Sequence, residues 1–159
     1  MKINRFEDLQ CWQEARKLVK MVYKAINNNH KMKSDFRFAG QFSAAAVSTM
    51  SNIAEGFAKK TDKEFSRGLW ISKGSAAEVQ SLTYAAIDLN YITKKDQKII
   101  YEQAEKVSKL DSGMIKYLYK SNIKPQSKLN DSRTQVHNDT MTQRPKDSKT
   151  QRPKDPRTQ

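Results

Sequence analysis

The chain is short of the residues on which most catalytic and metal-binding architectures depend. Among its 159 residues there is one cysteine, Cys11, and there are two histidines, His30 and His137. A lone thiol makes neither an internal disulfide nor a zinc site, so nothing points to an oxidising compartment. A di-iron bundle needs inward Glu-x-x-His pairs. His30 sits in an asparagine-rich stretch and His137 in a repetitive tail, so neither is a candidate core ligand or a partner for a Cys-His or Ser-His nucleophile. The five glycines are scattered and follow no strand pattern, which argues against a phosphate-cradling loop. No stretch approaches the roughly 18 apolar residues of a membrane span. Met1-Lys2-Ile3-Asn4-Arg5 leads into no apolar segment, so no secretory signal is expected. These absences predict a soluble cytoplasmic protein with no catalytic residues, no metal and no cofactor.

What is present is positive charge. Lys and Arg number 30 against 17 Asp and Glu, a formal net charge of +13. Hydrophobic residues make up only 36% of the chain, lean for this length, and the shortage is uneven. Every aromatic residue lies within residues 1–120, whereas beyond 122 the large apolar side chains are Ile123, Leu129, Val136 and Met141 alone. The composition predicts a folded domain over 1–122 and a disordered basic tail over 123–159. The tail repeats Asp-x-x-Thr-Gln from Asp131, Asp139, Asp147 and Asp155. Its prolines and lack of apolar residues exclude a packed solenoid. The repeat reads either as incidental tandem duplication or as added electrostatic reach toward nucleic acid.

Four helical stretches precede the tail. In the first, Trp12, Ala15, Val19, Val22 and Ile26 share a face opposite Lys17, Lys20 and Lys24. Asn27-Asn28-Asn29 breaks it, and loop composition continues to about Asp35. The second runs from about Phe36 to Gly56, is apolar on two adjacent faces, and places Gly56 as a left-handed cap. The third opens with the capping box Thr61-Asp62-Lys63-Glu64. Its stripes are Phe65, Leu69, Ser72, Ala76, Val79 and, one step over, Ile71, Ser75, Glu78, Leu82, Ala85, Leu89, Ile92. Gly68 and Gly74, each costing about 1 kcal/mol within a helix, imply a second backbone close by. Thr93 caps the fourth, whose buried side is marked by Ile100, Val107, Leu110, Met114 and Leu118. Mostly short connections then predict an all-α fold, an up-down-up-down antiparallel four-helix bundle. Phe36, Phe57, Trp70 and Tyr84 exceed a single inner seam, and either cap the bundle ends or line a self-association face.

Two constellations remain. Asn52, Glu55, Ser75 and Glu78 are polar residues on faces that read as buried. Glu55 also lies at the negative end of its helix, where something must offset the macrodipole. The structural reading is a hydrogen-bond network fixing register; the functional one is a carboxylate pair for acid–base work or a cation, although no nucleophile or histidine joins it. The basic residues form three groups: Arg16, Lys17, Lys20 and Lys24; Lys59, Lys60, Lys63 and Arg67; and Lys94, Lys95 and Lys98. Each reads as a solvated face or as a contact to a polyanion. No recognition helix or aromatic-stacking motif accompanies them, so contact to RNA or DNA would be mainly to phosphates and weakly sequence-specific.

Several of these residues also form a pattern. Phe6-x-x-Leu9-x-x-Trp12-Gln13 is followed by Gln41, by Ala45-x-x-Ser48-x-x-x-Asn52-Ile53-Ala54-Glu55-Gly56, by Glu64-Phe65, and by Ile71-x-x-Gly74-Ser75-x-x-Glu78. Over about residues 4–120 the chain resembles the four-helix-bundle proteins encoded within intervening sequences of bacterial 23S ribosomal RNA genes. The resemblance implies a ring-like homopentamer with Asn52, Glu55, Ser75 and Glu78 as signature positions. It also implies a relation to the accessory subunit of diversity-generating retroelements, a basic pentamer that binds a reverse transcriptase and nucleic acid. A basic RNA-associated oligomer and a protein-interaction scaffold for a reverse transcriptase are the two functional expectations. One departure is that the family often has basic residues where this chain has Ser43 and Ala44. Lys59, Lys60, Lys63, Lys73 and the helix-one lysines would then supply any nucleic-acid surface.

Overall fold

A computed structural model describes residues 3–122. A 3-10 turn, Phe6–Asp8, leads into α1 (Gln10–Asn28), α2 (His30–Ser34), α3 (Phe36–Ala58), α4 (Asp62–Asp88) and α5 (Lys94–Asn122). No strand forms among the described residues, so the fold class is all-α. The chain divides into Met1–Pro125 and Gln126–Gln159. The expected tail with its repeats lies outside the described residues.

The four long helices touch in a closed circuit, α1 on α3, α3 on α4, α4 on α5 and α5 on α1. Side chains between them gather in two clusters. One joins Leu18, Val22 and Ile26 of α1 to Phe42 of α3, Val79 of α4 and Ile100 of α5. The other joins Cys11 and Ala15 to Ile53, Leu69, Val107 and Ile115. The start of α1 therefore shares a cluster with the end of α3, the start of α4 and the end of α5.

Helix ends follow sequence chemistry. The Thr61 hydroxyl accepts from the Glu64 amide at 3.2 Å. Thr93 and Asp96 cap reciprocally: the Thr93 hydroxyl accepts from the Asp96 amide at 3.1 Å, and the Asp96 carboxylate accepts from the Thr93 amide at 3.3 Å. The stretch expected to be loop before Asp35 instead winds into α2. Asn29 caps it by accepting from the Met32 amide at 2.9 Å, and Met32 is fully buried in the first cluster. One apolar side chain at the right distance from a capping asparagine supplies enough burial for a single turn, which a composition-based reading overlooks.

Gly56 is not a cap. Helix α3 continues through it to Ala58, and the left-handed conformation falls on Lys60, φ 59°. Gly56 instead faces Gly68 where α3 and α4 cross. A Cβ on Gly68 would stand 2.5 Å from the Asn52 carbonyl oxygen and 2.9 Å from Gly56 Cα. The close backbone expected at Gly68 is therefore found, but Gly74 has nothing within 4 Å of a built Cβ. The second α4 stripe is split, with Ser75 buried and Leu82 packed against the first cluster but Ile71 46% exposed and Glu78 exposed. In α1 the core face is centred on Cys11, Ala15, Leu18 and Val22, leaving Trp12 and Val19 half-buried.

The two glycines make a paired test. Gly68→Ala is expected to destabilise by about 2–3 kcal/mol, because backbone rather than a flexible side chain must yield. Gly74→Ala should stabilise by about 0.5–1 kcal/mol through helix propensity. Urea midpoints of the two variants, moving in opposite directions, check both expectations.

Candidate functional site

Two carboxylates lie inside the bundle, and neither was marked by the stripes read from sequence. Asp111 on α5 is fully buried. One of its oxygens, Oδ2, accepts from the Ser72 hydroxyl of α4 at 2.7 Å, while Oδ1 has no hydrogen-bond partner. Burial pushes the Asp111 carboxyl up to about 6, opposed by the Ser72 hydroxyl, the nearby Cys11 thiol and, more distantly, Lys73. Cys11 is buried too, and loss of solvation together with the Asp111 charge pushes its thiol up to about 12. A thiol held there is protonated and a poor nucleophile. Among the described residues, no group of three or more His, Cys, Asp or Glu side chains is placed to hold a metal ion.

Glu14 on α1 is the opposite case. Its side chain is 7% exposed, yet it is fully engaged. The Gln103 amide of α5 donates to Oε2 at 2.9 Å, Lys17 Nζ lies 2.8 Å from Oε1, and Lys106 Nζ lies 3.1 Å from Oε2. Gln103, then Lys17 and Lys106, hold the Glu14 carboxyl down to about 2 despite its burial. Glu14 thus fastens α1 to α5. The apolar register could have revealed both acids, since 111 lies four residues from Val107 and Ile115, and 14 lies between Cys11 and Leu18.

The four polar residues expected to form one network separate. The Asn52 amide donates to the Ser48 carbonyl at 2.7 Å and to the Ser48 hydroxyl at 3.0 Å, and the Ser48 and Ser75 hydroxyls bond each other at 2.9 Å. That chain joins α3 to α4. Glu55 and Glu78 stand outside it, which corrects the expectation. Glu55 points to solvent, 65% exposed, and pairs with Lys59 at 2.9 Å; the macrodipole is offset by a neighbouring lysine, not by a buried bond. Glu78 is exposed. The two carboxylates thus face outward from different helices, Glu55 from α3 and Glu78 from α4.

The basic groups all reach the surface, but not all are free. Arg16, Lys20 and Lys24 are exposed, and the Arg16 guanidinium lies 5.9 Å from the Trp12 ring centroid. Lys17 is held by Glu14, and Lys59 is shared by Glu55 and, at 3.7 Å, Glu64. Lys17 and Lys59 are both exposed, each with a carboxylate beside it. Lys60, Lys63 and Arg67 are exposed. Beside the last two lies a shallow groove of about 600 Å³ that also meets Trp70 and Tyr119. Exposed aromatic rings among cations are a feature that reading α4 and α5 separately does not reveal.

The fold and these sites define an all-helical protein with two acids buried in its interior and its cations facing outward. The 23S rRNA-intervening sequence protein family matches residues 7–113, and the chain belongs to that family. Its fold is similar to the crystal structure of a protein of unknown function from the S23 ribosomal protein family of Bacteroides thetaiotaomicron VPI-5482. The two are 19% identical with a TM-score of 0.62, over 67% of this chain and 98% of that one. No curated protein matches the sequence.

The two interior acids give opposite pH slopes. Asp111 binds its proton more tightly in the folded state, so its contribution is present below about 4 and is lost as pH rises through about 6. Glu14 binds its proton less tightly when folded, so its contribution is present above about 4.5 and is lost as pH falls toward 2. From these two groups, stability should peak near pH 4. Asp111→Asn should flatten the alkaline side and raise stability at pH 7.5 by on the order of 2 kcal/mol. Glu14→Gln should flatten the acid side and cost about 1.5–3 kcal/mol at pH 7. Melting temperatures of the three proteins between pH 3 and 8 check this.

Proposed function

We propose that the protein is a non-enzymatic, oligomeric RNA-associated bundle that meets phosphates through its outer basic faces. The observation that carries this reading is the segregation of charge. Every Lys and Arg from Arg5 to Lys120 is exposed except Lys73, which is half-buried, whereas Glu14 and Asp111 are withdrawn into the interior. The outer surface is therefore more positive than the composition of the domain implies. Membership of the intervening-sequence family supports RNA as the polyanion.

Assembly is supported by a different feature. Between Arg37 and Glu55 helix α3 carries no charged residue, although Gly40, Gln41, Ala44, Val47 and Ser51 are exposed along one face. A charge-free exposed helix face suits burial against other copies. The alternation of helix ends in the two core clusters supports the up-down-up-down antiparallel arrangement, and the family resemblance supports a ring-like homopentamer. The burial of Cys11 and Asp111 away from solvent supports the non-enzymatic reading.

RNA affinity should fall steeply as salt rises, with a slope that counts the phosphates neutralised. Lys20→Glu with Lys24→Glu should lower both affinity and slope while leaving the helical circular dichroism unchanged. Failure of the unmodified protein to bind RNA at low salt would defeat the RNA reading. Separately, Val47→Glu should reduce the molar mass seen by light scattering while the helix content is kept; an unchanged mass would remove α3 as the contact.

A further inference from the structure

The groove beside Lys63 and Arg67 joins two helix ends distant in sequence. Residues 63, 66, 67 and 70 fall on neighbouring turns of one side of α4, and Tyr119 reaches the same groove from the last turns of α5. Trp70 is 52% exposed and Tyr119 is 55% exposed. Lys73 Nζ stands 4.4 Å from the Trp70 ring centroid, and Lys116 and Lys120 flank Tyr119 on α5, both exposed. Large aromatic side chains kept at the surface and ringed by cations are not explained by the bundle core, which closes without them. An independent feature marks the same place. Ser66 lines the groove, is only 6% exposed, and its hydroxyl has no hydrogen-bond partner.

We propose that this groove binds single-stranded RNA, with unpaired bases stacked on Trp70 and Tyr119 and the flanking phosphates on Lys63, Arg67 and Lys73. The proposal rests on the RNA reading above and narrows it to an unpaired strand. Only an unstacked base presents its face to an exposed ring, whereas an A-form duplex offers phosphates and a shallow minor groove. Lys73, set against the ring of Trp70, places an ammonium next to the backbone of any nucleotide stacked there. Asp62 lies at the α4 N-terminal end of the groove, so the backbone runs on the Arg67–Lys73 side. A second copy of this chain is the competing occupant. The cations argue against it, because interface cores are depleted of lysine and a two-fold contact would set like charges against each other.

The test uses the full chain and fluorescence anisotropy with an unstructured single-stranded RNA of about a dozen nucleotides and the corresponding duplex. Trp70→Ala should weaken single-strand binding by about 5- to 100-fold, Tyr119→Ala by a similar factor, and Trp70→Phe should restore most of the loss. Neither alanine variant should change the salt slope or the duplex affinity, whereas Arg67→Gln should reduce the slope. If the unmodified protein binds the single strand and both alanine variants bind it equally well, the stacking proposal is overturned while the RNA reading stands. Absence of binding to either RNA by the unmodified protein overturns both. Light scattering separates the competing occupant: a drop in molar mass on Trp70→Ala makes the groove a contact between copies and overturns the proposal.

Discussion

The close crossing of α3 and α4 at Gly56 and Gly68 is the constraint from which the rest of the arrangement follows. With no side chain at either position, the two backbones meet within van der Waals distance just beyond a turn that Lys60 closes in a left-handed conformation. That proximity lets the Ser48 and Ser75 hydroxyls bond directly across the pair. It also sets the rotation of α4 about its own axis. Phe65, Leu69, Ser72, Ala76 and Val79 then face inward, and Arg67, Trp70, Ile71 and Gly74 outward. A Cβ at position 68 would push the helices apart and disturb both faces at once.

Inside that frame, polar and charged groups take three different energetic positions. Glu14 is buried but over-supplied with donors, so its charge is favoured. Asp111 is buried with a single hydroxyl donor, so its charge is disfavoured. Glu55 keeps its water and gains a lysine four residues on, which holds its carboxyl below the usual range. Three carboxylates of nearly equal intrinsic acidity thus differ because of how many donors each meets relative to the water it gives up.

The all-α class, the ends of the long helices and the outward lysines of α1 follow from periodicity and capping chemistry. Those signals are local, and Thr61 and Thr93 each act within one turn. Pairing between helices is not local. Glu55 and Glu78 lie at helical spacing from buried neighbours, and only the rotation imposed at the glycine crossing turns them to solvent. Asp111 and Glu14 were missed for the converse reason, since a charged residue inside an apolar stripe is read as an interruption until its partners on other helices are known. Trp70 was visible as a surplus aromatic and Tyr119 was not singled out, because their meeting in one groove depends on where α5 ends relative to where α4 begins. The resemblance to the intervening-sequence family pointed to the right fold. It did not reveal which signature residues face water.

The burial of Cys11 has a practical corollary. A thiol shielded by the second core cluster and held protonated beside Asp111 is inaccessible to alkylating reagents while the helices stay packed. Because it is the chain's lone sulfhydryl, its rate of alkylation becomes a built-in clock for how often the start of α1 swings away from α4 and α5, readable by mass spectrometry with no engineered probe.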